Sequence, residues 1–172
     1  MRTRIIFLFL SLVISINLSA QQNTDVWSKW KFLIGTWEGE GNGQPGKGSG
    51  NFSFQKDLDG KILIRKNHSE YPATADKPAT VHDDLLIIYP DTSGNPTKAI
   101  YFDNESHVIN YIISYPDSSI VFTSAISADS PRFRLTYTKN DSNTVNIKFE
   151  IAFAQKPEDF KTYLEGKGIK KN

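Results

Sequence analysis

The chain carries three histidines, His68, His82 and His107, and no cysteine. Without thiols it has no disulfides, no thiolate nucleophile and no Cys-ligated metal. His82 and Asp84 are two residues apart, so on an extended strand their side chains share one face. A mononuclear metal site needs a fuller cluster of imidazole and carboxylate ligands than that pair, and polar residues opening a strand ordinarily meet solvent. The expectation is therefore no metal. Serines are frequent, but no Gly-x-Ser-x-Gly elbow accompanies them, which argues against a nucleophilic triad. The glycine-rich stretch 39–50 lacks the ending and the following helix of a phosphate-binding loop. It reads as a flexible hairpin, placed to act as a lid. Asp84, Asp103 and Glu150, with His107, are the groups that could serve as general acid or base if they project into a desolvated interior.

Paired cations supply a second option. Arg132 and Arg134 share a face, as do Arg65 and Asn67. Facing an interior, two guanidiniums would select an anion. The alternation of Phe133, Leu135 and Tyr137 favours the arginines of that strand pointing outward, although Arg134 is retained as a candidate. The remaining candidates are aromatic. Trp37, Tyr101, Tyr111, Phe122, Phe149 and Phe153 are read as core and interior, and with Arg134 they form the expected ligand-contact set.

The elements positioning these residues are short and mostly extended. After 35, turn chemistry punctuates the chain every 10 to 15 residues or so, at Asp59-Gly60, 72–78, 90–96, Asn104-Glu105, 116–118, 129–131 and 140–143. Between the turns lie apolar or alternating runs at 36–41, 51–58, 61–70, 83–89, 98–103, 107–115, 120–127, 132–139 and 144–154. The clearest alternation sets Val145, Ile147, Phe149, Ile151 and Phe153 against Asn146, Lys148 and Glu150. Two segments carry helical spacing instead. Trp27, Trp30, Leu33 and Ile34 predict a short helix over 25–34, and Phe160, Tyr163 and Leu164 behind Pro157 predict another over 157–164. The fold expected is all-β, an antiparallel up-and-down barrel of about 8 to 10 strands with a short helix at each end.

Residues 1–20 read as an export leader rather than structure, with Arg2 and Arg4 ahead of an apolar run and Leu18-Ser19-Ala20 at the cleavage point. That run is too short to span a bilayer. The 172-residue chain carries 20 Lys and Arg against 19 Asp and Glu, so losing Arg2 and Arg4 with the leader takes the formal charge from +1 to −1. A near-neutral surface gives no electrostatic case for nucleic acid or an anionic membrane. The expectation is an exported, periplasmic or extracellular protein of one domain over 25–172, without membrane insertion.

The opening of the first strand adds a resemblance. WKFLIGTWEGEG at 30–41 resembles the calycin superfamily, which includes lipocalins and fatty-acid-binding proteins. The fuller pattern Leu-x-Gly-x-Trp-x-Gly-x-Gly, with Gly35, Trp37, Gly39 and Gly41, is closer to nitrobindin-like barrels and to exported bacterial families with the same start. The resemblance implies a lumen that holds a small apolar or amphipathic molecule, Trp37 plugging the closed end, and a cation from Lys170 or Lys171 over that ring. In nitrobindin-like proteins a histidine near the C-terminal strand holds haem iron. No histidine follows His107 here, so haem is not expected and no cofactor is assigned. Two other readings stand beside lumen binding: an enzyme using lumen carboxylates for proton transfer, and a filled barrel acting through its surface as an envelope interaction module.

Overall fold

The computed structural model describes residues 25–43 and 46–171; the leader at 1–20 lies outside the described residues. Ten strands follow in chain order: β1 Gly35–Gly43, β2 Gly48–Asp57, β3 Ile62–Tyr71, β4 Thr80–Tyr89 and β5 Lys98–Asp103. They continue with β6 Val108–Ser114, β7 Ser119–Ser124, β8 Arg132–Lys139, β9 Thr144–Ala152 and β10 Lys161–Lys170. Each pairs antiparallel with its sequence neighbour, and β1 also pairs with β10, which closes the barrel. The chain therefore has a closed ten-stranded antiparallel architecture with no open sheet edge.

Alternation places one residue in two inside. Leu86 and Ile88 of β4, Ile120 and Phe122 of β7, and Leu135 and Tyr137 of β8 are buried. These side chains concentrate toward one end, where Trp27, Trp30 and Leu33 close the barrel from below. Trp30 packs edge-on against Phe122 at 5.9 Å between centroids, and Trp37 stacks on Phe52 at 5.8 Å. The indole N–H groups are satisfied as well. Trp37 donates to the Leu33 carbonyl at 2.8 Å, Trp27 to the Gly60 carbonyl at 2.7 Å, and Trp30 to the Tyr115 hydroxyl at 3.1 Å. Lys170 places its ammonium 5.3 Å from the centre of the Trp37 ring.

Both expected terminal helices are corrected. Over 25–34 there is a succession of tight turns with one three-residue 3-10 turn, Ser28–Trp30. Its bonds run from Ser28 N–H to Asp25, from Trp30 N–H to Trp27 and from Leu33 N–H to Trp30. Spacings of three between the apolar residues suit such turns as well as they suit a helix. The segment 157–164 is a turn running into β10, with a bulge between Thr162 and Leu164. Tertiary pairing overrides local spacing here, because this stretch is the one that joins β9 to β1.

Candidate functional site

Opposite the aromatic floor, the barrel opens into a cavity of about 530 Å³. Its existence follows from a wall without side chains. On β1, β2 and β10 the inward positions above the floor are Gly39, Gly41, Gly48, Gly50 and Gly166, all on the cavity surface. Gly39 pairs with both Gly50 and Gly168, and Gly41 with both Gly48 and Gly166, so the glycines lie in adjacent rows across three strands. Two of them are also needed for close backbone approach. A Cβ on Gly50 would sit 2.0 Å from the His68 carbonyl oxygen, and one on Gly166 would sit 2.6 Å from that of Glu40.

The remaining wall is divided by chemistry. Inward residues of β8 and β9, including Phe133, Leu135, Ile147, Phe149 and Ile151, make an apolar side. Phe149 stacks on Phe133 at 6.0 Å and meets Tyr163 edge-on at the same distance. The inward faces of β3, β4 and β5 make a polar side. Arg65 and Asp84 form a short ion pair with side chains 8% and 4% exposed. Asn67 donates to the second Asp84 oxygen at 3.0 Å and to Ser69 at 3.1 Å. Burial works against the charge on Arg65, but Asp84 together with the phenols of Tyr137, Tyr101 and Tyr111 outweighs it, and the pKa is raised. The Arg65 Nε and the Tyr137 hydroxyl, both buried, have no hydrogen-bond partner among the described residues.

Nearer the mouth, His82 Nε2 lies 3.0 Å from the Tyr101 hydroxyl and 3.5 Å from Asp84, while its Nδ1 lies 3.2 Å from Glu105. The hydrogen bond to Asp84, helped by Glu105, lifts the imidazole pKa to about 9. Tyr101 donates to Asp103 Oδ2 at 3.1 Å, and the His107 Nδ1 approaches the same oxygen at 2.8 Å. Burial opposes the Asp103 charge, yet the backbone N–H and the ring of His107 hold its pKa below the usual value. Burial pushes the phenols of Tyr101 and Tyr111 upward. The chemistry available is thus hydrogen bonding to a ligand's polar end, with fixed charges of both signs and an apolar surface opposite.

Of the seven residues in the expected contact set, Tyr101, Tyr111 and Phe149 line this cavity. Trp37 and Phe122 are fully buried in the floor. Two lie elsewhere. Phe153 follows β9 and is 69% exposed, because the strand ends at Ala152 and its alternation ends there too. Arg134 points outward, where it makes a two-pronged ion pair with Glu150 at 2.7 and 3.0 Å beneath the Phe160 ring. Glu150 is consequently corrected as a lumen carboxylate: it is buried by the segment that crosses outside β8 and β9, not by the interior. Residues missed in the sequence are Tyr163 and the glycine wall. The polar side was signalled by the period-two series Arg65, Asn67, Ser69 and by His82 with Asp84.

By sequence the chain matches no protein-family profile and no curated protein. Solved structures do resemble it in shape. Rv2717c from Mycobacterium tuberculosis aligns over 86% of this chain and 98% of its own, with a TM-score of 0.58 at 11% identity. The shared fold is a closed antiparallel β-barrel. The S-type phycobiliprotein lyase CPES from Guillardia theta covers 83% of this chain and 90% of its own, with a TM-score of 0.51 at 10% identity. A redesigned barrel, mFAP0, bound to DFHBI is more distant, at a TM-score of 0.40 and 13% identity over 81% of this chain and 99% of its own. At these identities the likeness is one of backbone architecture.

Proposed function

We propose that this protein binds a small amphipathic molecule in the barrel lumen, acting after export as a member of the exported calycin-like groups that open with Leu-x-Gly-x-Trp-x-Gly-x-Gly. The observation that carries the reading is the cavity of about 530 Å³ left by the glycine wall. That volume suits a small-molecule site, which typically occupies about 300–1,000 Å³ and combines apolar lining with a few convergent polar groups. The ligand's apolar body lies against Phe133, Phe149 and Ile147, and its polar end reaches Arg65, Asn67 and Tyr101. Because Asp84 already neutralises Arg65, the polar end is a neutral hydrogen-bonding group rather than a carboxylate.

The test fills the cavity from its bare side. Gly41→Phe places a ring in the lumen, and an added Cβ there meets only ordinary contacts at 3.5 Å or more. Titration with a neutral fluorescent probe, N-phenyl-1-naphthylamine, is expected to show saturable uptake by the native protein and at least about tenfold weaker uptake by the variant, a change of about 1.4 kcal/mol. Unchanged uptake by a folded Gly41→Phe protein overturns the lumen reading. Lumen proton transfer is favoured by one observation, the contact of Asp103 with the Tyr101 hydroxyl beside the cavity. It requires that Asp103→Asn abolish turnover while leaving probe uptake intact.

A further inference from the structure

Four potential ligand groups meet at the cavity mouth, although they are scattered in the sequence. His82 comes from β4, Asp103 ends β5, and Glu105 and His107 lie on the turn into β6. One donor atom from each of His82, Asp103 and Glu105 falls within 4.8 Å of the other two. A fourth group adjoins two of these three: His107 Nδ1 lies 2.8 Å from Asp103 Oδ2 and 4.0 Å from Glu105 Oε2. Two imidazoles and two carboxylates are the donor set of a borderline divalent ion such as Zn²⁺.

The surroundings already fix the groups as a site requires. Asp103 Oδ1 accepts the backbone N–H groups of Glu105 at 3.0 Å and His107 at 2.9 Å, so the turn is wound around the carboxylate. Asn104 ties that turn to β4 through the Val81 carbonyl and the Asp83 N–H. Behind His82, the Nε2 side faces Asp84 and Tyr101, leaving Nδ1 toward Glu105. A carboxylate behind a histidine is the usual outer-shell arrangement that sets tautomer and ring orientation at a metal. The paired negative charges of Asp103 and Glu105 match one dication, since Asp84 is engaged by Arg65.

We propose that His82, Asp103, Glu105 and His107 form a binding site for one divalent transition-metal ion at the rim of the lumen. All four residues also face the cavity, so the ion would stand beside whatever the lumen holds. This reverses the expectation drawn from His82 and Asp84 alone, because the partners come from a turn that sequence spacing did not connect to β4.

The experiment uses chelator-stripped protein titrated with Zn²⁺ by calorimetry and with Co²⁺ by visible absorption. The expected result is one equivalent of each, with Co²⁺ giving the intense d–d bands of low coordination number. Glu105→Gln and His107→Asn, both at exposed positions, are each expected to weaken binding by at least about tenfold, as loss of site residues does. The control is His68→Gln, since His68 has its own carboxylate neighbours, Asp83 at 2.7 Å and Glu70 at 3.0 Å, on the outer face. It is expected to leave the titration unchanged. Circular dichroism and melting establish that every variant is folded. The proposal fails if stripped protein binds no ion, if the Glu105→Gln/His107→Asn double variant binds as tightly as the native protein, or if binding follows His68 instead. Because probe uptake into the lumen is measured without metal, either proposal can fail alone.

Discussion

The two ends of the barrel are built from the same strands and differ in what those strands point inward. At the floor most strands contribute a large apolar side chain, and the indole N–H groups of Trp27, Trp30 and Trp37 are all bonded. At the mouth three strands contribute glycine, and three others contribute charged and hydrogen-bonding groups. Close packing with satisfied polar groups stabilises; a bare wall and a buried ion pair do not, since desolvating two charges offsets most of their attraction. The difference teaches where stability and binding reside: the floor holds the fold, and the mouth has been released from that duty.

The sharpest way to break the comparison is at the floor. Trp30→Ala removes a fully buried ring in contact with Trp27, Phe54 and Phe122. Urea denaturation is expected to show a loss of about 3–5 kcal/mol. At the mouth a comparable loss needs an unpaired charge. Asp84→Asn leaves Arg65 without its counterion and is expected to cost about 3–5 kcal/mol, whereas the double variant Arg65→Met/Asp84→Leu is expected to recover that loss or exceed native stability by about 1–4 kcal/mol while losing probe uptake. A double variant no more stable than Asp84→Asn would show the pair to be a structural element after all.

Smaller effects separate the glycines. Gly50→Ala drives a Cβ against the His68 carbonyl and is expected to cost about 1–3 kcal/mol, measured by the same denaturation. Gly41→Ala, with no contact under 3.5 Å, is expected to stay within about 0.5 kcal/mol. The smallest effect concerns the turns at the floor end. Asp91 accepts bonds from Thr97, Ser93 and Asn95, and Asp141 from Thr144 and Asn143, and these bonds lower both pKa values. A carboxyl lowered on folding stabilises above its unfolded pKa, near 3.9, and that contribution is lost as pH falls through the folded value. Melting temperature is therefore expected to drop on acidification below about pH 4, with a shallower slope in Asp141→Asn.

Much of the architecture was legible because turns and alternation are local. Nine of the strands coincide with extended runs, and the tenth was hidden because Phe160, Tyr163 and Leu164 mimic helical spacing across a bulge. On β4 the run Leu85 to Ile88 hides the inward set, since Leu85 and Ile87 are apolar and half-buried on the outer face. The site was less legible. His82 and Asp84 could be placed on one face, but nothing local joins them to Arg65, Tyr101 or Glu105, which reach them only through register. Arg134 and Glu150 were ambiguous for the opposite reason: burial by a crossing segment outside the barrel leaves the same trace in sequence as burial within it.

The pairing of β1 with β10 carries a kinetic consequence. Trp37 meets Lys170 across the seam, so the first strand waits for the last before either is fully bonded. Closing so large a loop is entropically slow, and until it happens β1 and β10 present unpaired edges to other chains. Above that pair, at Gly39, Gly41, Gly166 and Gly168, glycine replaces side chains on the inner face of the seam, so backbone hydrogen bonding does most to draw its two sides together there. Assembly of the barrel is thus governed by the arrival of its final ten residues of strand, and a chain halted before Lys161 would be a template for aggregation rather than a smaller barrel.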